Sequence, residues 1–238
     1  MHKTGTKSNS AVPTEKPQED HRVRVAKRRR ERMRARLLKS VMAVYPEGTV
    51  NSPTVIDDVV RHADVSRGTF YKYFDSLSLA VEELGSQLAS EMTEVANEIY
   101  SDLSSPPMRT ATGFMTYLLR AHTDHRWGAF LSHMGLLTGD NPMVRNILED
   151  IERGIETGNY SVASPNVASD LLIGTKVEAI RRIITGQTDL GYIHAVTTMV
   201  LRSFGLPKVK SVTTVEKAFN RIMVQAPKRL DWWKPFDS

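Results

Sequence analysis

Cysteine is absent from the 238 residues, which rules out a disulfide framework, a zinc–thiolate site and a thiol nucleophile. No apolar run approaches the ~18 residues that a membrane span needs. The first 21 residues are polar and lack the apolar stretch of a secretory signal, so a cytoplasmic location is expected. There is no alternating run of strand type and no repeat at a solenoid period. A glycine-rich phosphate loop, a nucleophile elbow and an HExxH pair are also missing, which argues against an enzyme and against a bound cofactor. His122, His125 and His133 have no cluster of acids near them in sequence, so no metal site is expected.

What the chain does have is positive charge gathered in one place. The formal net charge is +5. From Arg22 to Lys39 there are ten Lys/Arg and one acid, Glu31, for +9. Residues 1–21 carry three bases and three acids, so the 199 residues after Lys39 hold −4. Such a concentration is the electrostatic footprint of a polyanion binder. A solvated helix face has the same composition, so the segments downstream of the run must decide between the two.

Residues 1–23, rich in Lys, Thr, Ser, Pro and Glu, read as a disordered leader. From Arg24 to Tyr45 the apolar residues Met33, Leu37, Val41 and Val44 fall on one face of a helix, which Pro46-Glu47-Gly48 ends. Thr54, with Asp57 three residues on, predicts an N-cap and its acid partner at the start of a second, short helix. Asp64-Val65-Ser66 interrupts that helix, and Ser66 is placed to cap a third from Arg67 to Phe74. Asp75 or Ser76 then caps a long fourth helix to about Tyr100. Further helical patterns lie at 108–123, 126–138, 142–158, 166–186, 189–205 and 212–225. The expected fold class is all-α. A three-helix helix-turn-helix unit with its basic arm occupies 24–74, a larger helical domain 75–226, and a tail with Trp232, Trp233 and Phe236 occupies 227–238.

Two short helices joined by a tight turn can hold the second against the DNA major groove. Val59, Val65, Phe70 and Phe74 supply the apolar anchor. Asp64 is among the few non-glycine residues that tolerate a left-handed turn. Arg67, Thr69, Tyr71, Lys72 and Tyr73 supply donors, acceptors and cations, and Gly68 allows close approach to a phosphate backbone. On chemistry alone Arg67 is the residue expected to read a guanine, since its guanidinium can donate two bonds to O6 and N7.

The segment from Thr54 to Phe74, and above all Val65-Ser-Arg-Gly-Thr-Phe-Tyr-Lys-Tyr-Phe74, resembles the helix-turn-helix of the TetR (tetracycline-repressor-like) family. Leu37, Val41 and Val44 fall at that family's apolar positions in the preceding helix. A looser likeness runs from Ile151 to Gly158 and from Pro165 to Gly186, matching the family's Gly-three-residues-Gly helix end and its dimerisation helix. Two residues depart from the pattern: Asp64 stands where glycine is usual, and Leu77 where a phosphate-contacting lysine is usual. The 46–53 connection is also about two residues longer. The resemblance implies that Thr54 and Tyr71, together with Lys72 or Tyr73, contact phosphates and that Arg67, Gly68 and Thr69 face base edges. With Ser66, these form the expected DNA-binding set.

The resemblance further implies that the larger domain dimerises and encloses a small-molecule effector. Helices over 166–205 are the expected homodimer interface, with Leu171, Leu172, Ile180, Ile183, Ile184, Val196, Met199, Val200 and Phe204 as its apolar residues. An aromatic and methionine-rich region at Phe114, Tyr117, Trp127, Phe130 and Met134 is the expected ligand-binding set. The function implied is a sequence-specific, ligand-responsive repressor on double-stranded DNA. The alternative is a helical interaction or RNA-binding protein that uses only the basic arm.

Overall fold

The computed structural model describes residues 21–47, 52–100, 102–133, 142–186 and 189–235. They form ten α-helices: α1 His21–Val44, α2 Ile56–Ala63, α3 Arg67–Tyr71, α4 Leu77–Tyr100, α5 Pro106–Thr123, α6 His125–His133, α7 Pro142–Glu156, α8 Pro165–Ile184, α9 Leu190–Ser203 and α10 Lys208–Arg229. A single 3-10 turn, Tyr45–Glu47, follows α1. Among the described residues there is no strand, and no helix is long and apolar enough to cross a membrane. The all-α expectation holds. Residues 1–20 of the expected leader, residues 48–51 of the 46–53 connection, Met134 and Phe236 lie outside the described residues.

Helix α1 begins at His21, three residues before the expected start, and carries the basic run within it. Its two halves behave differently. The described side chains from His21 to Glu31 are exposed, whereas Leu37, Leu38, Val41 and Val44 are buried against α2 and α4. About three helical turns of basic surface therefore project from the body. Arg34 does not belong to that surface. Its guanidinium hydrogen-bonds Glu83 of α4 (2.6 Å for Nε), donates to the Tyr73 carbonyl (3.1 Å) and lies 4.5 Å over the Phe74 ring. One side chain thus ties α1, the end of the helix-turn-helix and α4 together.

The larger domain is organised around α5, which packs on α8, α9 and α10 and is buried along most of its length. Two arginines of α10 cap the open carbonyls at the end of α4: Arg221 donates to Ile99 (2.9 Å) and Arg229 to Glu98. The helix end at 154–158 depends on both of its glycines. A Cβ on Gly154 would lie 2.0 Å from the Tyr160 ring, and Gly158 takes φ +68°. Tyr160, held there, donates to Thr110 (2.8 Å) and packs edge-on against Phe204. Helix α10 runs to Arg229, past the expected boundary at 226, with Pro227 in its last turn. The tail beyond it docks on the body, since Arg120 lies 5.1 Å from the Trp232 ring and 4.7 Å from the Trp127 ring.

Candidate nucleic-acid interface and ligand cavity

Local chemistry sets the geometry of the helix-turn-helix. Asp64 adopts φ 51°, ψ 55°, the left-handed turn predicted for it. Ser66 caps α3 by accepting from the Thr69 amide (3.1 Å), and Phe70 and Phe74 anchor the unit in the core. Two details depart from the sequence reading. The N-cap of α2 is Val55, one residue later than expected, and Asp58 accepts from the Val55 amide (3.0 Å) where Asp57 was expected to act. Helix α3 ends as a regular helix at Tyr71, and Lys72 and Tyr73 continue as a turn.

The first of these shifts has a cause. The Thr54 hydroxyl donates to the carbonyls of Val44 (3.1 Å) and Tyr45 (3.3 Å), the orphaned acceptors at the end of α1. Its proton is therefore engaged inside the protein rather than turned outward. Asp57, released from capping, pairs with Arg67 (3.2 Å). A hydrogen bond with Tyr71, and then the Asp57 charge, raise the Arg67 pKa above its ordinary value. Arg67, Gly68, Tyr71 and Lys72 are exposed, Ser66 as well, while Thr69 and Tyr73 are half-buried. Tyr71 keeps 46% of its surface open. Ser66, Arg67, Gly68, Tyr71 and Lys72 are thus the members of the expected set that are open to solvent. Leu77 lines a shallow groove beside Thr54 and Arg67, between the starts of α2 and α3.

In the larger domain, α4, α5, α7 and α8 enclose a cavity of about 40 Å³. Phe114 and Tyr117 line it, together with Met92, Tyr100, Leu172 and Lys176. Trp127 and Phe130, also expected there, are buried elsewhere, because α6 turns them toward other neighbours. Trp127 packs on Tyr117 with ring centroids 5.9 Å apart, and Phe130 packs on Tyr45, the first residue after α1, at 5.8 Å. In the cavity wall Arg109 pairs with Asp150 (2.6 Å), donates to the Tyr100 carbonyl (3.2 Å) and lies over the Tyr100 ring. Burial, reinforced by the Asp150 charge, pushes the Tyr100 hydroxyl up to about 12.

Lys176 escaped the sequence reading. It is 3% exposed, its ammonium stands 4.2 Å from the Tyr117 ring centroid, and burial pulls its pKa down to about 7. The signal was present in the periodicity. Ala168, Leu172, Ala179 and Ile183 make the buried stripe of α8, and Lys176 falls on it. Among the described residues no group of three or more His, Cys, Asp or Glu is placed to hold a metal.

The expected interface residues divide. Leu172, Ile180, Ile183, Val200 and Phe204 are buried in the chain's own core. Leu171 and Met199 are exposed, with Val167 and Gly174 on the same side of α8, and a Cβ on Gly174 would meet nothing within 4 Å. The first group cannot present an outer face because α8 and α9 must bury one side of each helix against α5.

No family model and no curated protein matches the chain. Solved structures do. RolR in complex with resorcinol is 21% identical, with 80% of this chain and 96% of that one covered and a TM-score of 0.59. A putative tetR family transcription regulator from Shewanella sp. PV-4 is 15% identical over 74% and 99%, with a TM-score of 0.61. FadR from Bacillus subtilis in complex with stearoyl-CoA is 14% identical over 71% and 98%, with a TM-score of 0.59. The fold is that of the TetR-type transcription regulators.

Proposed function

We propose that this chain, built on the TetR-type fold, is a cytoplasmic, ligand-responsive repressor that binds a palindromic operator in double-stranded DNA as a homodimer. The observation that carries the reading is the outward face of α3. Arg67, Gly68 and Tyr71 stand exposed on α3, and Lys72 in the turn after it, while the left-handed turn, the serine cap and the buried Phe70 and Phe74 hold the helix to the body. Arg67 would exchange its solvent-exposed pairing with Asp57 for a guanine edge. Surface ion pairs of that kind contribute ~1 kcal/mol or less, whereas a bidentate guanine contact is worth ~1–3 kcal/mol of discrimination. The basic half of α1 would add sequence-independent phosphate contacts. Among the described residues, Arg24, Lys27, Arg28, Arg29 and Arg30 have no carboxylate partner, which supports that role.

Homodimerisation is favoured by the exposed apolar residues Val167, Leu171 and Met199 on α8 and α9, beside the open Gly174. Two-fold pairing would set the two α3 helices roughly 34–36 Å apart, one turn of DNA. An effector enters the same scheme through the cavity. An apolar cavity of about 150 Å³ takes up benzene, so a ligand of that size would have to separate the helices around the 40 Å³ space. Displacement of Tyr117 would press on Trp127, and α6 would carry that motion through Phe130 to Tyr45. The Tyr45 carbonyl accepts the Thr54 hydroxyl at the entry to α2. A ligand that prefers the separated arrangement would thereby disfavour the DNA-bound spacing. That RolR and FadR were captured with resorcinol and stearoyl-CoA supports an effector here too.

The test is selection of bound sequences from random duplex DNA, repeated with Tyr71→Ala. The expected result is a palindromic motif that the substitution removes. Uniform, motif-free binding that survives Tyr71→Ala but is lost on removing residues 1–32 would instead identify a binder that uses only its basic arm.

A further inference from the structure

We propose that the cavity's ligand is a small organic acid, a compact apolar body with one carboxylate, and that Lys176 is the residue that recognises the acid. The inference rests on the reading of that cavity as the effector site and adds the chemical class of the effector.

An ammonium group has three donors and a full charge, and burying it without a partner is among the costlier things a protein can do. Lys176 is buried, and the described residues give it neither a hydrogen-bond acceptor nor a carboxylate. Among the described residues its ammonium is matched only by the face of the Tyr117 ring. The acid nearest in kind, Asp150, lines the same cavity but is taken by Arg109 at 2.6 Å. The charges of the site are thus unequal: an internally neutral Arg109–Asp150 pair and a lysine without a carboxylate partner among the described residues. Apart from these, the walls are mainly apolar, with Met92, Phe114, Tyr117, Met143 and Leu172 among them.

A purely structural lysine is disfavoured by the same facts. Methionine has a similar length, would fill the space, and needs no partner. A lysine on the buried stripe of α8 that lines the cavity is suited to a guest that brings the missing anion. A carboxylate supplies the charge and the acceptors together, and the apolar walls accept the rest of the molecule. The amine also sits on the Tyr117 ring, where the proposed path to α6 begins, so the pairing that gives affinity also loads the helix contacts that lead to α2.

The full-length protein is titrated calorimetrically with benzoate, phenylacetate and hexanoate and with the three corresponding amides, which match them in shape and lack the charge. Acids are expected to bind about ten- to a hundredfold tighter than their amides, the range of a charge-assisted hydrogen bond. Lys176→Met should abolish that preference without weakening the amides, and Lys176→Arg should preserve it. Equal affinity of acids and amides, or an acid preference that Lys176→Met leaves intact, overturns the assignment of Lys176 while leaving the cavity as a ligand site. Failure of every acid and every amide to bind overturns both the effector reading of the cavity and this proposal with it.

Discussion

Lys176→Met should stabilise the protein, and by an amount that depends on pH. The folded lysine has a pKa of about 7 against 10.5 for the free side chain, the result of burial. Each tenfold change in proton affinity corresponds to about 1.4 kcal/mol, so retaining the proton in the folded state costs at most roughly 5 kcal/mol. Relaxation and water entry reduce that figure. The sign comes from linkage. Between pH 7 and 10.5 the unfolded chain binds the proton and the folded chain does not, so this residue makes stability rise with pH across that window. Below pH 7 both states are protonated and the cost is constant. Chemical denaturation of wild type and Lys176→Met at pH 6, 7.5 and 9 is the assay. The variant's advantage should be largest at pH 6, have lost roughly half by pH 9 and vanish toward pH 10.5. The other ionisable groups lining the cavity, Tyr100, Tyr117, Arg109 and Asp150, are common to both proteins and cancel in the difference. An advantage that stays flat with pH, or a variant less stable than wild type at pH 6, would refute the reasoning.

Gly154→Ala should destabilise the fold by about 1–3 kcal/mol, the usual cost of overpacking, because the new Cβ would sit 2.0 Å from the Tyr160 ring; thermal unfolding measures it. Thr54→Val should cost about 1 kcal/mol of stability through the loss of its hydrogen bonds to Val44 and Tyr45. It should weaken operator binding less than Tyr71→Ala does, and an electrophoretic mobility assay on the selected operator compares the two. Replacing Arg28, Arg29 and Arg30 together by alanine should leave the selected motif unchanged and flatten the log–log salt dependence of binding by about 0.9 for each phosphate that is no longer neutralised. Phe130→Leu should leave benzoate affinity near wild type while reducing the operator release that benzoate causes, which a fluorescence anisotropy titration reads.

Much of the architecture, including the turn and cap that orient α3, was legible in the residues themselves, for a common reason. A left-handed Asp64, a capping Ser66 and the Phe70–Phe74 pair act over three to five residues, where backbone sterics and hydrogen bonding are local. Helical periodicity likewise placed α4, α7, α8 and α9 to within a few residues. The one-residue error at the start of α2 arose because the Thr54 hydroxyl, expected to accept a backbone N–H as a cap, instead donates to carbonyls. The end of α1, ten residues back in sequence, took its hydroxyl, and no local rule includes that partner.

Decisions of the second kind belonged to tertiary packing. Periodicity alone could not say which face of α8 meets its own domain, so Leu172 and Leu171, adjacent in sequence, have opposite fates. Nor could composition separate Arg34, tied to Glu83 and Tyr73, from the arginines that stay in solvent. The cavity was least accessible of all. Aromatic residues mark a buried region without saying which of them border a void, and Trp127 and Phe130 fill space where Phe114 and Tyr117 line it. The turn at Asp64 and the cap at Ser66 are settled by near neighbours, whereas the walls of the cavity depend on how four helices, contributing residues from Met92 to Lys176, come to rest against one another.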